Sequence, residues 1–297
     1  MAREMPHVEG VEHRFAEANG IRIHYAEAGP PSGDAAQSTP VVMLHGWPQH
    51  WYEWRDLIGP IAERRRVICP DLRGLGWSEA PRSGYEKETL ADDLLALLDV
   101  LGIDRVCLIG HDWGAWSGFL ACLREPDRFE RFLALGIAPP FARRSLTSVA
   151  ATWRLWYQLP LASPFGARIA AGLGTGLSGC VFDAISRHAW GPAESATFLG
   201  QFAEAERARA SVAYYRTFQL RELPALVRGR YARTRLEVPT RLLFGTGEAV
   251  MSPAMLEFRP ENAADLVVEL VPGAGHFIAD ERPDLVLERA RELFGSG

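Results

Sequence analysis

The chain has 297 residues, 47% of them apolar and 23% charged, with a formal net charge of -5 at pH 7. That length can bury a large core, and the composition is that of an ordinary soluble globule. The acidic balance argues against a nucleic-acid footprint, since the arginines alternate with acids, as in Arg221-Glu222 and Glu204-Ala205-Glu206-Arg207.

The start of the chain, Met1 to His7, is polar and lacks the apolar core of a signal peptide. No stretch approaches 18 uninterrupted apolar residues, so no membrane span is expected. Cys69, Cys107, Cys122 and Cys180 form no CxxC pair and read as reduced thiols, which makes the cytoplasm the expected location.

Residues 11 to 27 alternate between apolar and polar and predict two antiparallel strands turning at Asn19-Gly20. A Gly/Pro/Ser loop follows at 29 to 40. Short apolar runs then recur, each ahead of a turn or helix signal. Val41–Leu44 leads into His45-Gly46-Trp47-Pro48, and Arg66–Cys69 into Pro70-Asp71-Leu72-Arg73-Gly74. Leu90, Leu94, Leu97, Leu98 and Leu101 recur at helical spacing before a strand at 105 to 109. More strands are predicted at 131 to 137, 240 to 244 and 266 to 271, then a last helix from Pro283 to about Phe294. This alternation predicts an α/β fold with a mostly parallel central sheet and helices on both faces. Residues 139 to about 236 break the rhythm, being rich in Ala, Leu, Arg and aromatics with no clear strand. They read as a helical cap (139–236) inserted after the sixth strand of a core formed by 1–138 and 237–297. Such a cap would cover the carboxyl ends of the strands, where open α/β sheets bind ligands.

Gly110-His111-Asp112-Trp113-Gly114 directly follows the strand at 105 to 109 and precedes a predicted helix. Glycines flanking one central residue at a strand-to-helix turn are the signature of a nucleophile elbow. The central residue is Asp rather than Ser or Cys. A carboxylate attacking an ordinary ester would give an anhydride, a poor intermediate. Attack on saturated carbon gives a stable alkyl ester instead, so the substrate should be an epoxide or a halide.

Such chemistry needs a base for water, an acid to orient that base, oxyanion donors and a donor for the leaving oxygen. His276, in Gly273-Ala274-Gly275-His276-Phe277 after the strand at 266 to 271, is the base by position and chain order. His111 reads as a structural hydrogen-bonding group under the elbow. His45 follows a strand and would hold backbone near the oxyanion site, at the edge of the substrate pocket. Glu248 is the one carboxylate in Gly245–Pro253, and the loop after the strand at 131 to 137 offers none, so Glu248 is assigned to orient His276. The backbone amides of Trp47 and Trp113 are the natural oxyanion donors, the latter at a helix N-terminus. Trp47-Pro48 is a candidate cis bond. Two aromatic stretches of the cap, Trp153 to Tyr157 and Tyr214 to Phe218, offer tyrosines that stay protonated at neutral pH and can donate to a developing alkoxide. Trp47, Trp113, Trp116, Trp153, Trp156 and Phe141 give the pocket an aromatic lining suited to apolar substrates. Asp71 and Arg73 read as a structural ion pair under the site. No cluster of Cys, His or carboxylates has metal-ligand spacing, so neither metal nor cofactor is expected.

Taken together these motifs resemble the α/β-hydrolase fold, and within it the epoxide hydrolase branch, over about residues 10 to 294. His-Gly-Trp-Pro at 45 to 48 resembles that branch's oxyanion motif, Gly-His-Asp-Trp-Gly at 110 to 114 its elbow, and Gly-His-Phe at 275 to 277 its histidine turn. The resemblance implies a ring-opening tyrosine pair at Tyr157 and Tyr215. Trp153 is the alternative at the first position and Tyr214 at the second. It also implies hydrolysis of a small apolar epoxide to a diol through an ester on Asp112, with substrate and water as partners and the chain as monomer or homodimer. Glu248 departs from the branch's more usual Asp. A haloalkane dehalogenase with the same Asp nucleophile is the alternative activity, and a non-catalytic binding protein on the same fold is a further one.

Overall fold

The computed structural model describes residues 3–30, 38–143, 145, 147, 150–172 and 182–295. Its centre is an eight-stranded sheet. The strands are β1 (Glu12–Ala18), β2 (Ile21–Ala28), β3 (Val41–Leu44), β4 (Val67–Pro70), β5 (Val106–His111), β6 (Phe129–Leu135), β7 (Thr240–Gly245) and β8 (Leu266–Val271). They lie in the order β1-β2-β4-β3-β5-β6-β7-β8. β1 and β2 form the antiparallel hairpin, β2 also runs antiparallel to β4, and all later pairings are parallel. The hairpin turns where Asn19 and Gly20 both have positive φ, 46° and 74°, as a two-residue I′ turn requires.

β3, β4 and β5 are buried at every position, as strands covered on both faces must be. That is why they appear in sequence as continuous apolar runs. One face is covered by α2 (Lys87–Val100) and α3 (Asp112–Arg124), the other by α1 (Arg55–Ala62) and the helix Pro283–Phe294. Two boundaries differ from expectation. β5 continues through His111 to the elbow itself, and β6 runs Phe129–Leu135 rather than 131 to 137, because Gly136 turns the chain at φ 63°. Cys69, Cys107 and Cys122 are free and buried in this core, while Cys180 lies outside the described residues.

Between β6 and β7 the described residues contain helices and turns, among them Pro192–Leu199 and Ala205–Thr217. This helical insertion packs back on the core through specific bonds. The Gln201 amide donates to the Pro48 carbonyl (2.8 Å) and accepts from the Gly76 amide (2.8 Å). Arg55 of α1 reaches both Glu194 of the insertion (2.5 Å) and Asp280 of the core (2.6 Å). No described helix is long and apolar enough to cross a membrane.

Candidate active site

At the carboxyl end of β5 the chain reverses so sharply that Asp112 takes a positive φ of 47°, a conformation rarely held by a residue with a side chain. The flanking glycines make this turn possible by close approach. A Cβ on Gly110 would lie 2.8 Å from the Ala115 Cα, and one on Gly114 would lie 2.2 Å from the Leu44 carbonyl oxygen. The result is a carboxylate held up at the start of α3, only 8% exposed.

Three loops meet it. From the β3 loop, the Trp47 amide donates to Asp112 Oδ2 at 3.1 Å, and the Trp47-Pro48 bond is cis. From the β8 loop, His276 Nε2 stands 4.0 Å from Asp112 Oδ1. From the β7 loop, Glu248 Oε2 accepts from His276 Nδ1 at 2.8 Å, while Glu248 Oε1 accepts the Val250 amide at 2.6 Å. The carboxylate therefore fixes the imidazole with its proton on Nδ1 and Nε2 free. Burial opposes charge on both partners. Their mutual attraction overcomes it, raising the pKa of His276 above the ordinary imidazole value and lowering that of Glu248 below the ordinary carboxylate value.

The helical insertion closes the site from above. The Tyr157 and Tyr215 rings lie 5.9 Å apart, edge to face, and Tyr215 also packs against Trp47 (5.1 Å) and Trp113 (6.0 Å). Burial, and then the Asp112 charge, raise the pKa of Tyr157. Tyr215 is raised for the same reasons, with the Tyr157 charge acting ahead of that of Asp112. Both hydroxyls thus keep their protons and remain donors. The Trp47 indole N–H donates to Ser211 Oγ (2.9 Å), whereas the buried Trp113 indole N–H makes no hydrogen bond of ordinary geometry and has the Tyr215 hydroxyl as its neighbour. Trp113 also packs on Phe218 at 5.1 Å, so the walls of the site are aromatic.

Several expected site residues lie elsewhere. Trp153 is 69% exposed and Trp156 57%, so their rings are on the surface and Tyr157 takes the inner position. The Tyr214 hydroxyl turns away to donate to the Arg73 carbonyl at 2.9 Å. Phe141 is buried in core packing against Phe119 and Phe258. His45 is fully buried: its Nε2 accepts the Leu72 amide (2.9 Å) and its Nδ1 donates to the Gly46 carbonyl (2.9 Å), which leaves nothing for a substrate. Asp71 and Arg73 do not pair with each other. Asp71 holds His24 (2.7 Å) and the Trp51 amide (2.8 Å), and Arg73 holds Asp93 (2.6 Å), so both are structural through other partners.

Two buried groups at the site went unread in the sequence. Glu53 Oε2 accepts the Gly46 amide (3.0 Å), and its Oε1 lies 2.8 Å from His111 Nδ1. His111 Nε2 in turn donates to the His276 carbonyl at 2.9 Å. Burial disfavours the His111 charge, but Glu53 outweighs it and pushes the pKa up to about 9. The available signal was an acid inside the tryptophan-rich run Trp51-Tyr52-Glu53-Trp54, where a buried carboxylate demands a partner. The other is Lys87, with no signal beyond its place at the start of a helix. Among the described residues, no group of three His, Cys, Asp or Glu side chains is placed to hold a metal ion.

An elbow on β5, a loop after β3 whose amide meets the elbow carboxylate, and an acid–histidine pair after β7 and β8 have the arrangement of an α/β-hydrolase. A family model of the alpha/beta hydrolase fold matches residues 39–283, and the chain belongs to that family. Among curated relatives, a soluble epoxide hydrolase of Corynebacterium sp. (strain C12) is 46% identical over 129 residues, which is 43% of this chain and 43% of that enzyme. Epoxide hydrolase 2 of Caenorhabditis elegans is 26% identical over 288 residues, covering 92% of this chain and 77% of that one. The chain thus spans less than half the length of the Corynebacterium relative in its matched part. Among solved structures, the epoxide hydrolase CorEH without ligand superposes with a TM-score of 0.79 at 28% identity, over 96% of this chain and 98% of the other. Epoxide hydrolase VrEH1 of Vigna radiata gives 0.76 at 26% identity over 96% and 98%.

Proposed function

We propose that this protein is an epoxide hydrolase that converts small apolar epoxides to vicinal diols through an ester on Asp112. The observation that carries the reading is a single carboxylate served from two sides: His276–Glu248 and the Trp47 amide below, two protonated tyrosines above. The names of the relatives point the same way. Residues 139–236 act in this scheme as a cap domain over a core of 1–138 and 237–297.

The two carboxylate oxygens have different tasks. Oδ2 already accepts the Trp47 amide, so Oδ1 is the free nucleophile. As Oδ1 bonds to a ring carbon, the ring C–O bond breaks, and the leaving oxygen takes a hydrogen bond and then a proton from the Tyr157/Tyr215 pair. In the second half, water attacks the carbonyl carbon of the ester and gives its proton to His276 Nε2. The negative charge then gathers on Oδ2, where the amides of Trp47 and of Trp113, at the start of α3, receive it. On collapse His276 returns its proton to the departing alkoxide so that the diol leaves, and the proton remaining on the Asp112 carboxyl group passes to the tyrosinate, which restores Asp112, His276 and the tyrosine pair. The aromatic walls favour lipophilic substituents. The free buried cysteines suit a reducing cytoplasm.

A second reading, displacement of halide from saturated carbon, is favoured by one observation: the buried Trp113 indole N–H, one residue from the proposed nucleophile, makes no hydrogen bond of ordinary geometry. Product analysis separates the two. Wild type and Asp112→Ala are incubated with styrene oxide, an alkyl epoxide and 1-bromobutane. Diol from wild type alone supports epoxide hydrolysis; bromide release without diol moves the assignment to halide displacement. Diol formed equally by Asp112→Ala removes Asp112 from the mechanism.

A further inference from the structure

Lys87 opens α2 and is fully buried, an expensive place for an ammonium unless every N–H is satisfied. Its Nζ donates to the Tyr214 carbonyl (2.7 Å), to Glu222 Oε2 (3.0 Å) and to the Tyr85 carbonyl (3.3 Å). Its own backbone amide donates to Glu222 Oε1 at 2.7 Å. Nζ also lies 4.5 Å from the centre of the Trp113 ring, within cation–π range. With three acceptors engaged, the ammonium has no N–H left for a ligand, so its task is structural or positional.

Its location decides which. The Tyr214 carbonyl belongs to the peptide unit that joins Tyr214 to Tyr215, and Trp113 is bonded to Asp112. One core ammonium therefore touches the immediate neighbours of the proposed proton donor and of the proposed nucleophile. On the insertion side, the helix carrying Tyr215 widens into a π turn at Phe218–Glu222, and this turn ends on the carboxylate that meets Lys87.

We propose that Lys87 is a positioning residue for ring opening, pinning the Tyr215 helix of the insertion against the Trp113 indole. This rests on the ester reading of Asp112 and Tyr215 above. Ring opening needs Asp112 and the tyrosines together. Ester hydrolysis needs only Asp112, His276, Glu248 and the oxyanion amides, all in the core. Loss of the pin should slow the first half-reaction and spare the second.

The experiment uses Lys87→Met and, to avoid stranding a carboxylate, the double variant Lys87→Met/Glu222→Gln. Each is mixed rapidly with styrene oxide, quenched and weighed intact. The rise of the covalent adduct gives the alkylation rate, and its decay after substrate removal gives the hydrolysis rate. Alkylation should fall roughly 10- to 100-fold, the scale of a displaced catalytic group, with hydrolysis unchanged within about twofold. A role in folding alone would lower the reactive fraction, or both rates together, and would overturn the proposal, as would unchanged alkylation. If Lys87→Met fails to fold, Glu222→Gln alone loosens the same contact from a partly exposed side chain and must show the same split in smaller measure; equal rates there overturn the proposal. Absence of any adduct in wild type and also in Glu248→Gln, in which the ester should accumulate, would refute the ester reading itself, and the role of Lys87 with it.

Discussion

Replacing Glu248 by Gln tests the core machinery, because the two oxygens of this carboxylate are already committed. Oε2 accepts His276 Nδ1–H at 2.8 Å and Oε1 accepts the Val250 amide at 2.6 Å. A glutamine has one oxygen and one NH₂ for two donors. If its oxygen keeps Val250, its NH₂ faces Nδ1, which must then give up its proton. The imidazole shifts to the Nε2–H tautomer and no longer has a lone pair for the water. If the oxygen keeps Nδ1 instead, the NH₂ meets the Val250 N–H at donor–donor distance, and a buried amide is unsatisfied at a cost of about 1–3 kcal/mol. The same tautomer error in an Asp–His pair of serine proteases costs roughly 10⁴-fold, which is about 5.4 kcal/mol of barrier at 1.36 kcal/mol per decade. Ring opening does not use His276 and should proceed at the wild-type rate. Glu248→Gln mixed with styrene oxide should therefore accumulate the Asp112 ester, seen by intact mass, with a slow release of diol. Hydrolysis within tenfold of wild type together with an unchanged urea midpoint would refute the assignment of Glu248, and equal slowing of both steps would refute the division into two half-reactions.

Tyr157→Phe and Tyr215→Phe should each slow alkylation by about 10²-fold, the lower range for one general acid, with the double variant inactive; single variants at wild-type rates in rapid quench would discard the pair. The base form of His276 is neutral, and Glu248 raises its pKa, so hydrolysis should be lost as pH falls through a value above the ordinary 6.5 or so; a pH profile of ester decay with its midpoint below that value would contradict the buried pair. Gly114→Ala would press a Cβ to 2.2 Å from the Leu44 carbonyl oxygen and should destabilise the fold by about 1–3 kcal/mol or more; an unchanged urea midpoint would mean that the elbow has room the structure does not show.

The strands were legible because buried parallel strands require unbroken apolar residues, and Val41–Leu44 and Val106–Ile109 satisfy this on both faces. The elbow was legible because close packing at Gly110 and Gly114 leaves no room for a side chain. Glu248 was legible by exclusion, as the only carboxylate of its loop. The insertion was harder, because the facing of a side chain depends on the type of helical turn. Ala151–Leu155 is a 3-10 turn, in which residues three apart eclipse, so Trp153 and Trp156 share one outward face. In the helix Ala205–Thr217 neighbouring residues point about 100° apart, and that sends Tyr214 toward Arg73 while Tyr215 faces the site. Lys87, and the partners of Glu53, were illegible for another reason: those partners lie on other loops, and a single sequence carries no record of which loops meet.

The Glu53–His111 pair supports the reading of His111 as a structural group and of His276 as the proposed base. His111 is adjacent to the nucleophile, so by proximity alone it competes for the role of base. Its imidazole is charged below about pH 9, with Nδ1 against Glu53 and Nε2 against the His276 carbonyl. A protonated ring with both nitrogens engaged has no lone pair for a water proton. His276 differs on both counts, since only Nδ1 is engaged and Nε2 stands open 4.0 Å from Asp112. The charged ring has another use. Through Glu53 it reaches the Gly46 amide beside Trp47, the proposed oxyanion donor, and through Nε2 it reaches the backbone of His276. Three loops far apart in sequence are thus joined beneath the carboxylate by one buried ion pair. Removing either partner would leave the other charge stranded, at a cost well above that of a surface pair. In the proposed scheme the groups for ester hydrolysis thus sit together in the core, while the tyrosines that protonate the leaving oxygen are brought to them by the insertion.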